Sequence, residues 1–104
     1  MIKLKAIKDI VEDIREEIDG AMHYAKKAVA MKDTDKDAST AYADMARQEL
    51  SHADRLHGLA VKAINAERAK GVEPPAAMQA VWDWEHEKMI DATARIRHLL
   101  DMVK

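Results

Sequence analysis

Residues 38–63, ASTAYADMARQELSHADRLHGLAVKA, decide the fold. Ala38, Tyr42, Met45, Leu56, Leu59 and Ala63 recur three and four residues apart, the period of one face of an α-helix. Two slots in the middle of that apolar seam hold Glu49 and His52 instead. Placing an unpaired carboxylate in an apolar helix interface costs several kcal/mol after relaxation (~3–5). A chain that does so needs something to offset the charge.

The same pattern extends in both directions. Ahead of this stretch, Ile7, Ile10, Ile14, Ala21, Tyr24, Ala28 and Met31 form a seam interrupted by Glu17. Behind it, Met78, Trp82, Met89, Ala92, Ile96, Leu99 and Val103 form a third, interrupted by Glu85. The polar run Asp33-Thr34-Asp35-Lys36-Asp37 supplies turn and N-cap residues between the first two seams. Gly71 suits a helix C-terminus, and Pro74-Pro75 stops one helix and opens the next. The expectation is therefore three long helices over about 5–32, 37–70 and 75–103, in one domain spanning 1–104. Connections this short make neighbouring helices antiparallel and favour the shallow crossings of a bundle. The fold class is all-α.

Composition agrees with this and removes several function classes. Alanine, methionine, leucine, lysine and glutamate are abundant, with three glycines, two prolines and no phenylalanine. The formal net charge is −2 with both signs interspersed, so nucleic-acid binding has no electrostatic support. Without cysteine there are no disulfides, thiol chemistry or thiolate metal sites, and any metal must be held by oxygen and imidazole. The first residues lead into a charged amphipathic helix rather than a signal-peptide core, and no run of about 18 apolar residues suggests a membrane helix. A cytoplasmic protein with no membrane partner is expected.

Loop positions predict which acids share a height. With the first turn centred at Asp35, Glu17 mirrors Ala53, beside His52 and one turn from Glu49. The i, i+3 spacing puts Glu49 and His52 on one helix face, with Cβ atoms ~5–6 Å apart. With the second turn centred at Glu73, Glu85 mirrors Val61, about 18 Å along the helix from Glu49. Glu85 is thus expected at a separate place, paired with Lys5 or Lys8, or acting as a second-site ligand with His86.

One chain then offers two carboxylates and one imidazole. That is half of the four-carboxylate, two-histidine set by which helix bundles hold di-iron or di-manganese centres. A homodimer with a twofold axis through the site would supply the other half. Carboxylates with imidazole suit iron and manganese, and zinc could also occupy such a site.

These residues resemble the ferritin-like superfamily, and within it the first two helices of a rubrerythrin-type domain. Glu17, Tyr24, Ala25 and Ala28, then Tyr42, Ala46, Glu49, His52, Ala53 and Leu56, carry the resemblance over about half the chain. The resemblance implies that Glu17 is a terminal or bridging ligand, Glu49 a bridging carboxylate, His52 a nitrogen ligand and Tyr24 a near-site tyrosine. A second ExxH and a long crossover, both present in the full bundle, are missing. The half-site organisation is similar to that of encapsulated ferritins, which build a ferroxidase centre across a dimer interface and oxidise Fe(II). Their C-terminal shell-docking extension has no counterpart after Met102-Val103-Lys104, so encapsulation is not expected. What the resemblance implies is a ferritin-like half-bundle completed by dimerisation or higher homo-oligomerisation, with ferroxidase or peroxide- and O2-reducing activity.

The competing reading is a metal-free helical module for self-association or partner binding, in which Glu17, Glu49 and His52 form a buried polar network fixing helix register. Tyr24 and Tyr42 are then ordinary seam residues. Asp33-x-Asp35-x-Asp37 mimics an EF-hand opening, but Ala38 replaces the turn glycine and Asp44 the bidentate glutamate. His23, His57, His86 and His98 fall beside the seams and read as solvated. Trp82 is a core candidate, and Trp84 points outward toward a further subunit contact.

Overall fold

The computed structural model describes residues 2–103, with side chains from residue 5. Helix α1 spans Ile2–Met31, α2 spans Lys36–Ala69 and α3 spans Ala76–Asp101, with no strand among the described residues. The chain is an all-α, up-down-up helical bundle measuring 56 × 18 × 16 Å. Among the described residues no helix is long and apolar enough to cross a membrane.

Local chemistry sets the helix ends. Asp35 is the N-cap of α2, its carboxylate accepting from the Ala38 N–H at 3.0 Å, so the acidic run is a cap rather than a calcium loop. At the other end of α2, Gly71 adopts φ +83°, a left-handed conformation that a Cβ disfavours. The Val72 N–H donates to the Glu67 carbonyl and the Gly71 N–H to the Arg68 carbonyl, closing the last turn as a Schellman motif. Pro75 then caps α3 without any side-chain hydrogen bond.

The core differs from the sequence seams by a rotation of α2. Its buried residues are Ser39, Ala43, Ala46, Ala53 and Ala60, each one position after a seam residue. Ala43, Ala46 and Ala53 join one core cluster with Ala21, Ala25 and Ala28 of α1, the last three fully buried. Small side chains on both helices let the backbones approach closely, and that contact outcompetes burial of the larger seam residues. Ser39 completes it by donating from its hydroxyl to the Ala28 carbonyl at 2.7 Å. Met45 and Leu59, expected in the core, are exposed instead.

Helix α3 lies mainly against α1 and scarcely against α2. Ile96 and Leu100 anchor it, Ile96 being fully buried. Toward its N-terminus the packing thins: Trp82 is half-buried, whereas Val81, Trp84 and Ile90 are exposed. The face formed by α1 and α2 away from α3 is left open. Ile10, Glu17, Tyr24 and Met31 line it at seven-residue spacing from α1, opposite Tyr42, Met45, Glu49, His52, Leu56 and Leu59 from α2.

Candidate metal centre

The α1–α2 register brings Glu17, Glu49 and His52 together. One donor atom from each lies within 4.8 Å of the others, the one such group of three or more metal-ligand residues among the described residues. His52 Nδ1 is 3.4 Å from Glu17 Oε2. The Glu17 side chain is 27% exposed and that of His52 53%, so the group lies at the surface of the open face with its acids toward the helices.

Gly20 makes room for it. This residue is one turn beyond Glu17 on α1, and a Cβ there would sit 3.2 Å from Glu49 Oε2 and 3.5 Å from its Cδ. The Glu49 carboxylate therefore rests on bare backbone, close enough to Glu17 for the two acids to interact directly.

Two carboxylates this close cannot both ionise at their ordinary values. Glu49 is held above its usual 4.5, first by a hydrogen bond with the Glu17 carboxyl that requires a shared proton, then by burial and by the Glu17 charge. His52 acts in the opposite direction. Glu17 Oε2 is the one buried side-chain nitrogen or oxygen without a hydrogen-bond partner among the described residues. Two neighbouring carboxyls, one with an oxygen that makes no hydrogen bond and one held above its usual value, form an arrangement that a divalent cation would relieve by neutralising the charge and satisfying the free lone pairs.

The remaining candidates fall elsewhere. Tyr24, about 10 Å along α1 from Glu17, stacks on Tyr42 with ring centroids 6.1 Å apart and takes an edge contact from His23 at 5.4 Å. Glu85 stands apart from the three-residue group, and its partner is Arg15 rather than Lys5 or Lys8. Helices α1 and α3 run parallel, and no single loop fixes their register, so the height inferred through two turns was displaced toward the middle of α1. Trp84 faces outward, 57% exposed, beneath the Lys88 ammonium 4.1 Å from its ring centroid.

Two histidines read as solvated are not isolated on the surface. His57 and His86 are half-buried and stack with centroids 5.1 Å apart and an interplanar angle of 11°. The register about Glu73 did not reveal this pair, because it sets His57 opposite Met89, almost one turn beyond His86.

No protein-family model, curated protein or solved structure matches this chain.

Proposed function

We propose that the chain binds divalent metal through Glu17, Glu49 and His52, and that two copies pair their open α1–α2 faces to complete a carboxylate-bridged dimetal centre. The observation carrying this reading is the convergence of one donor atom each from Glu17, Glu49 and His52 within 4.8 Å, where Glu17 Oε2 makes no hydrogen bond and the Glu49 carboxyl is held above its usual value. Four carboxylates and two imidazoles would then face two cations, a charge balance neither the acids nor the ions reach alone. The exposed Met45 and Leu59 flank the group and supply apolar area for that contact.

Oxygen and imidazole donors without thiolate suit iron or manganese, with zinc also accommodated. Iron held there would supply electron-transfer chemistry toward O2 or peroxide, a ferroxidase or peroxide-reducing activity. The protein's own contribution is positional. Glu17 and Glu49 present oxygens from facing helices, the His52 ring presents Nδ1 toward Glu17, and Gly20 lets the Glu49 carboxylate lie close to α1.

Native mass spectrometry after addition of Fe(II) under anaerobic conditions, or of Mn(II), tests the reading. A dimer holding about one metal per chain, lost in Glu49→Ala, is expected. Absence of metal uptake, or a tightly loaded monomer, overturns it.

The metal-free network is the second reading, favoured by the 3.4 Å approach of His52 Nδ1 to Glu17 Oε2, which gives that acid an ion-pair partner without a metal. It requires the same melting temperature with chelator and with added metal, whereas specific binding raises it by mass action.

A further inference from the structure

We propose that the cleft between α1 and α3 binds a planar, uncharged heteroaromatic molecule whose edge carries adjacent hydrogen-bond donor and acceptor groups. This site is independent of the metal reading and lies on other side chains.

The cleft has a volume of about 270 Å³, close to the range of small-molecule sites. It opens where α3 stands off from the bundle, beyond the tightly packed Ile96 and Leu100. Ile14 and Ile18 of α1 and Met89 of α3 give it an aliphatic lining, while Trp82 and the stacked His57–His86 pair add flat ring surfaces. The two imidazoles are stacked with planes 11° from parallel, and a flat ring surface favours flat ligands through offset stacking.

The polar groups narrow the chemistry further. Glu85, its side chain only 12% exposed, is ion-paired with Arg15 at the cleft wall. A guanidinium has more N–H groups than one carboxylate consumes, and a carboxylate has a second oxygen. Side by side, they offer a donor and an acceptor to a ring edge bearing a C=O next to an N–H. The other charges in the lining, Asp19 and Lys88, are opposite in sign, so the cleft carries no net charge to select an anion or a cation. A metal ion is not favoured there, because Glu85, His57 and His86 do not bring donor atoms together as Glu17, Glu49 and His52 do.

The two tryptophans make the test direct, since Trp82 lines the cleft and Trp84 does not. In Trp84→Phe protein, Trp82 is the single indole, and its fluorescence reports occupancy during titration with lumichrome, an uncharged tricyclic molecule with lactam-type edges. Saturable quenching with a dissociation constant of tens to hundreds of micromolar is expected, about what ~0.3 kcal/mol per non-hydrogen atom gives for a molecule this size. Ala92→Phe, which fills the cleft, and Glu85→Ala, which removes the acceptor, should each weaken binding by about tenfold, with folding checked by circular dichroism. Glu85→Gln should retain most of it. Absence of saturable quenching, insensitivity to Ala92→Phe in folded protein, or equally tight binding of an anionic anilinonaphthalene sulfonate would each overturn the proposal.

Discussion

The carboxylate of Glu49 rests against Gly20, where a methyl group would stand 3.2 Å from Oε2. Glycine in mid-helix is otherwise unfavourable by ~1 kcal/mol relative to alanine. Gly20→Ala should therefore raise the melting temperature of the metal-free protein by about 2–5 °C. It should also push the carboxylate aside and weaken Mn(II) binding by about tenfold, read by isothermal titration. Unchanged affinity would show that the close approach of Glu49 to α1 is not needed for binding.

Acidity provides a second test. Because the folded state holds Glu49 above 4.5, its contribution to stability is fully present below that value and is lost as pH rises through the raised folded value. Chelated wild-type protein should lose melting temperature relative to Glu49→Gln as pH increases from about 4.5. With Mn(II) present the trend should invert, since the ion replaces the proton and its affinity grows with pH. Parallel curves for the two proteins in chelator would remove the proton-sharing account.

Breaking the Arg15–Glu85 pair should have unequal consequences for its two members. Arg15 is half-exposed, whereas Glu85 is nearly enclosed, so Arg15→Ala leaves an acid without its partner against Trp82 and Met89. A loss of about 1–2 kcal/mol is expected in urea denaturation. Glu85→Gln, which removes the charge but keeps an acceptor, should cost less. The reverse order would mean that the guanidinium contributes mainly by packing.

Ile96 is fully buried between α3 and the rest of the bundle, while Ile90 on the same helix is 51% exposed. Ile96→Ala should cost ~2–5 kcal/mol, and Ile90→Ala about 0.5 kcal/mol or less. Comparable losses would place Ile90 in a contact outside the single chain, and the concentration dependence of unfolding would show it.

The legible parts of the sequence were those set by local chemistry and by one turn. The capping acid Asp35, Gly71 and Pro75 mark helix ends within a few residues of the expected bounds, and the mirror about Asp35 brings Glu17 beside His52. The buried face of α2 was not legible, because the larger residues Tyr42, Met45 and Leu59 dominate the hydrophobic pattern. Alanines decide the packing by permitting close approach, a benefit that appears only when two helices are considered together. Glu85 escaped for a related reason: its height on α1 depends on a contact between non-consecutive helices. The role of Gly20 was equally hidden, since its value lies in a carboxylate from another helix.

The helical hairpin of α1 and α2 is not equally secured along its length. Its enclosed alanines, with Ile96 and Leu100 of α3 behind them, gather toward the Asp35 turn, whereas toward the Gly71 end the enclosed residues among those described thin to Ile7, Ile14 and Ala60. Backbone amides should therefore exchange with solvent in a graded order, fastest near the α2–α3 connection and slowest beside Ala25 and Ala46. Opening would begin at the far end like a zip and reach His57 before Glu49. A histidine ring pair would part while the two acids still faced each other.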